Sequence, residues 1–241
     1  MLGRSISKRF AGIGVAGLLF AALGIGVAIF LFADRPRFPS SPPIPLSSCR
    51  GRITQVSVLN DLMIGRYDGV MPIPELFRYG DFGLGTLDHL DGELIVLDGR
   101  AYQVRGDGVV VDVGSDRSTP FALVTPFEPD GEFPCPRVGN LADLDARLED
   151  ALEQKNNFLA VRVDGRFAAI TLRSVHRQEP PYRRLADVVK GQSVWTHTEA
   201  SGTLVGIRSP AWALGLNVTG YHRHFLRRPH GRRPRPRLSG P

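Results

Sequence analysis

At 241 residues, 42% of them hydrophobic, the chain can bury one good core or two small ones packed together, and its 27 Gly and 19 Pro imply many turns. Its net charge of +6 suggests a polyanionic partner until the charges are located: residues 1–37 carry +4 and the arginine-rich end 227–241 carries +6, which leaves the body 38–226 at −4. A body of that sign offers no phosphate-binding surface, and nucleic acid is excluded as a partner.

Residues 1–9 are basic, and 10–33, FAGIGVAGLLFAALGIGVAIFLFA, form an uncharged apolar run of 24 residues. As a helix this run reaches about 36 Å, enough to cross a hydrocarbon core of roughly 30 Å. It is too long for an ordinary signal-peptide core and no small-residue cleavage site follows, so an uncleaved membrane anchor is expected. A cleaved export signal stays open as the alternative. Arg4, Lys8 and Arg9 ahead of the run favour a cytoplasmic N-terminus and an exported body. Residues 34–48 read as a proline-rich spacer, and 49–226 as the folded domain. Cys49 and Cys135 are the only cysteines. They are free to pair in an oxidising compartment, but without a CxxC they make no thiolate zinc knot.

Within the body, RITQVSVL (52–59) alternates like a strand, and PIPELFRYG (72–80) fits a short helix stopped by glycine. GDFGLGTLDHLDGELIVLDGRAYQVRGDGVVVDV places short β-branched runs between LDG and GDG turns, the pattern of an antiparallel meander, and FALVTPF (121–127) adds a strand. NLADLDARLEDALEQ (140–154) is an amphipathic helix with Asn140 as N-cap and Leu141, Leu144, Leu148 and Leu152 on one stripe. FLAVRVDG and RFAAITLRS read as two strands around an Asp-Gly turn, a short helix is expected near 184–189, and QSVWTHTEASGTLVGIRSP reads as another hairpin pair. YHRHFL is the last strand. The expected fold class is α+β (mixed α/β), dominated by mixed or antiparallel sheet.

On that last strand His222 and His224 point the same way and Arg223 the other, so two imidazoles converge on one face as a grip for a divalent ion. Alone, such a pair is more readily a chance pairing on a solvated strand. Glu93 opens a strand after a glycine turn, and Arg173 ends a strand whose apolar partners suggest burial. Both also have plain structural readings, as a solvated strand start and a salt bridge. His89, His176 and His197 have no metal-ligand spacing to the pair and read as ordinary surface or core histidines.

GDFGLGTLDHLDGELIVLDGRAYQV, TPFALVTPF, the Arg-Ser pair at 173–174 with QEPPY after it, and SGTLVGIRSPAWALGLNVTGYHRHFL resemble the alpha-acetolactate decarboxylases, in the same order and over residues 52–226. The resemblance implies zinc-dependent conversion of 2-acetolactate to acetoin and CO2, on two packed sub-domains with the metal (Zn2+) between them. It matches His222 and His224 to two of three zinc-ligand histidines, Glu93 to an active-site glutamate, Arg173 to an arginine beside the substrate and Thr86 to a pocket-lining threonine. A homodimer is left open. The family pattern continues after HxHFL with a Gly-Gly-His strand carrying the third zinc histidine and then a second active-site glutamate. Here LRRPHGRRPRPRLSGP follows, with Arg235 where the third ligand is expected. Dense Arg and Pro do not form such a strand, so 227–241 read as a disordered tail. Three explanations stand: a frame shift or truncation in the gene, a divergent member that recruits His230, or a catalytically inactive exported domain that keeps the scaffold for binding or structure.

Overall fold

A computed structural model describes residues 51–135, 137–151 and 156–228. The apolar run 10–33, the spacer 34–48, Cys49, and the arginine-rich end from 229 with His230 and Arg235 lie outside the described residues. Among the described residues, no helix is long and apolar enough to cross a membrane.

The meander forms as expected: β3 (Phe82–Thr86), β4 (Glu93–Leu97), β5 (Arg100–Val104) and β6 (Val110–Asp112). Between β4 and β5 the turn is Asp98-Gly99, both with positive φ (52° and 72°), the backbone that matches the right-handed twist of a two-residue hairpin. With β1 (Thr54–Val56) and β8 (Phe121–Thr125) these strands make a six-stranded antiparallel sheet in the order β1-β8-β3-β4-β5-β6. Short helices α1 (Leu59–Met63) and α2 (Ile73–Leu76) and a two-stranded ribbon, β2 (Met71–Pro72) with β7 (Ser118–Thr119), fill the connections.

The second half of the chain departs from the expectation. The two proposed hairpins are one: β9 (Leu159–Ser174) pairs along its length with β10 (Ser193–Ser209), and the connection between them, residues 175–192, carries α4 (Leu185–Val188). Asp164-Gly165 and Ser201-Gly202 do not turn. Gly165 and Gly202 face each other across the ladder, and a Cβ on Gly202 would collide with the Phe225 ring and the Leu226 carbonyl. Glycine here serves close packing inside a strand rather than reversal of the chain. β11 (Gly220–Arg227) completes a three-stranded sheet in the order β11-β10-β9.

α3 (Leu141–Asp150) is capped by Asn140, whose side chain accepts from the Asp143 N–H at 3.0 Å. Leu144 and Leu148 pack with Val161, Leu204 and Phe225 of the three-stranded sheet, whereas Leu141, on the same stripe but in the first turn, is exposed. The sheet's other face meets the six-stranded sheet: Val205 packs with Phe82, Ile95 and Val104, and Ile207 with Leu84 and Leu123. The two expected sub-domains are therefore two sheets sharing apolar clusters inside one compact unit.

Candidate active site

The β10–β11 register sets His224 opposite Val205 and His222 opposite Ile207, so both imidazoles share the face that meets the six-stranded sheet. Arg223 faces away, pairing with Asp145 of α3 and lying over the Tyr221 ring. The two imidazole rings are 5.0 Å apart, centroid to centroid, at 84°. His224 is buried, and its Nδ1 lies 2.9 Å from the Leu94 carbonyl oxygen, so Nδ1 is the donor and Nε2 is turned inward. There Nε2 stands 3.3 Å from Glu93 Oε2. Among the described residues, His222 Nδ1 is buried without a hydrogen-bond partner. A buried polar nitrogen left this way is costly, and a cation or water completes it.

Glu93 opens β4, opposite Thr86 on β3 and Val104 on β5. Burial pushes its carboxyl above the usual range, against the opposing pull of His224 and Arg173. It is thereby biased toward holding a proton. Burial, then the neighbouring His224 and Arg173, push His222 down to about 3. The charge of Arg173 thus reaches both groups, although the residue itself is exposed. The expectation of burial fails because β9 is an edge strand and Val194, opposite Arg173, is exposed as well. Among the described residues no hydrogen bond or ion pair engages this guanidinium. Thr86 is buried and its hydroxyl donates to the Gly92 carbonyl at 2.7 Å. The structure therefore gathers His222, His224, Glu93 and Arg173, with Thr86 bonded to the turn beneath Glu93.

The remaining described histidines are partnered elsewhere. His176 Nε2 lies 2.9 Å from Ser193 Oγ, and His197 Nε2 accepts from Trp195 Nε1 at 3.1 Å. His89 belongs to a grouping with no regular sequence spacing, Asp68, Asp88 and His89, whose ligand atoms lie within 4.8 Å of one another. By distance these three could hold an ion. Their polar atoms are already engaged: Tyr182 Oη lies 2.6 Å from both Asp68 Oδ1 and His89 Nδ1, and His89 Nε2 is 3.3 Å from Asp88 Oδ2. An open cleft of about 230 Å3 lies among Asp91, Arg105, Asp107, His176 and Arg177. Its arginines are paired, Arg105 with Asp107 and Arg177 with Glu179, which leaves Arg173 the better cation for an incoming anion.

The sequence profile described as alpha-acetolactate decarboxylase matches residues 53–232. The chain belongs to this family. It is 48% identical over 172 residues to the alpha-acetolactate decarboxylase of Methanosarcina mazei, covering 71% of this chain and 60% of that protein, so it spans less than two thirds of that relative. It is 39% identical over 175 residues to the alpha-acetolactate decarboxylase of Bacillus subtilis, covering 73% and 69% of the two chains. The crystal structure of alpha-acetolactate decarboxylase from Bacillus subtilis strain 168 superposes with a TM-score of 0.71 at 39% identity, over 73% of this chain and 75% of that one. A Staphylococcus aureus structure described as similar to alpha-acetolactate decarboxylase superposes equally well, at 31% identity.

The depressed imidazole gives this family member an acid sensitivity when it is free of metal. The unfolded chain takes a proton on His222 near 6.5, whereas the folded chain does so only at about 3. Between these values the unfolded state binds more protons, so this group's share of stability is complete above 6.5 and is lost as pH falls toward 3. Glu93, raised from 4.5, acts in the other direction, its share being full below that value and waning as pH rises. Urea unfolding of chelator-treated wild type and His222→Phe separates the two. The wild type should lose on the order of 2 kcal/mol more than the variant between pH 6.5 and pH 5.

Proposed function

We propose that the chain decarboxylates 2-acetolactate to acetoin and CO2 with a zinc ion held by His222 and His224. The observation that carries this reading is the convergence of two inward imidazoles, one with an orphaned buried nitrogen, on a carboxyl biased toward its acid form. Two neutral imidazoles suit zinc, and in such a reaction a bound zinc ion supplies Lewis acidity that draws electron density toward the ketone oxygen. A third protein donor is to be sought among residues 229–241, where His230 is the only histidine.

The rest of the chemistry falls to the side chains. Arg173, exposed and without a partner among the described residues, receives the substrate carboxylate in its guanidinium fork and orients it for loss. When the carbon–carbon bond to the carboxylate breaks, its electron pair stays on the former carboxyl-bearing carbon and delocalises onto the neighbouring ketone, giving an enediolate. Glu93 in its acid form then donates a proton to that carbon, which yields acetoin and fixes its hand. Export to the outer face of a membrane, with 10–33 as anchor, is part of the same proposal and rests on the apolar run alone.

The test is the full chain, stripped of metal and reloaded with zinc, given 2-acetolactate. Acetoin and CO2 should appear only after reloading. Zinc binding without any product would contradict the catalytic reading and favour a retained scaffold.

A further inference from the structure

Glu93 is the first residue of its strand, so its aim depends on the turn just before it. That turn is unusual: His89, Leu90 and Gly92 all take positive φ, at 61°, 53° and 74°. A Cβ on Gly92 would collide with the Val104 carbonyl oxygen, so only glycine fits there. Backbone of this kind persists only where its surroundings hold it. The holders are visible. Thr86 Oγ1 donates to the Gly92 carbonyl at 2.7 Å, and Gln103 Nε2 donates to the Asp91 carbonyl at 2.7 Å. Arg117 Nη2 adds a bond to Asp91 Oδ2 at 2.8 Å.

The two carbonyl grips come from opposite sides. Thr86 sits across from Glu93 and Gln103 across from Leu94, and side chains one residue apart on a strand point to opposite faces. The peptide carbonyls immediately before the acid are thus held from above and below the sheet. Gln103 is 5% exposed, in a sheet whose neighbouring side chains are apolar. Burying an amide there is unfavourable unless its hydrogen bond matters. We propose that Gln103, together with Thr86, is a positioning residue that aims Glu93 at the carbon to be protonated. This rests on the decarboxylase reading above.

If the grip acts through Glu93, loosening it should let proton delivery wander between the two faces of the enediolate. Gln103→Met keeps length and packing but removes the donor. The zinc-loaded full chain carrying it should lose about tenfold or more in kcat, with KM changed less than about twofold, because a small misplacement of a reacting group is felt in the transition state. Its acetoin should move toward a racemic mixture on a chiral column, while bound zinc stays at the wild-type level. Gln103→Asn, one methylene short of the Asp91 carbonyl, should behave alike and serves if the first variant does not fold. In a Glu93→Asp background, where the acid is already drawn back, adding Gln103→Met should cost less than about twofold further. A merely structural glutamine would leave the product hand unchanged, or would multiply in full with Glu93→Asp; either outcome overturns the role. A wild type that releases no CO2 overturns the decarboxylase reading and this role with it. An active wild type with an indifferent Gln103→Met overturns the role alone.

Discussion

Glu93→Gln should leave a folded chain that still holds zinc but turns over 2-acetolactate about 10²–10⁴ times more slowly. The amide matches the acid in shape and keeps a polar atom facing His224 Nε2, 3.3 Å from the present carboxyl oxygen. What it removes is a carboxyl that burial biases toward its acid form, and with it the proposed proton donor. The substrate contact proposed for Arg173 is untouched by this change, so kcat should carry the loss and KM should move little. Acetoin formation and bound zinc, measured on one preparation, check both halves. Activity within about threefold of wild type would place the proton donor elsewhere in the site.

The second large effect belongs to His224→Ala. This imidazole is 8% exposed, bonds the Leu94 carbonyl through one nitrogen and presents the other toward Glu93. Its removal should therefore do two separable things. It leaves a buried carbonyl without that donor, which costs on the order of 1–3 kcal/mol of folding stability. It also removes one of two imidazole donors, which should weaken zinc binding by more than about 100-fold, the upper end of what losing a supporting contact alone does. His197→Ala is the matching control, because among the described residues that imidazole bonds Trp195 alone. It should keep zinc and activity. Equal zinc retention by the two variants would remove the metal from this strand.

The meander and the shared face of the two histidines on the last strand were legible in the sequence because both are written at short range. Asp98-Gly99 specifies its own turn, and the spacing of His222 and His224 places both rings on one face without reference to anything else. The long β9–β10 hairpin was not legible. Gly165 and Gly202 look like turn residues in isolation, and only the Phe225 ring across the sheet explains why glycine stands in mid-strand. Burial of Arg173 failed for a related reason: strand pattern does not say whether a strand lies at an edge. The Asp68, Asp88 and His89 grouping has no spacing that could have announced it, since the fold alone brings Asp68 to the later pair. Gln103 was invisible too, because its partner is a backbone carbonyl.

The position of a bound divalent ion decides most directly whether His222 and His224 form a metal site. A crystal of the zinc-loaded chain, measured above and below the zinc absorption edge, gives that position without reference to activity. An anomalous peak about 2.0–2.1 Å from a ring nitrogen of both His222 and His224, on the side facing Glu93, is the predicted result. A peak confined to Asp68, Asp88 and His89, with the His222–His224 pair bare, would contradict it.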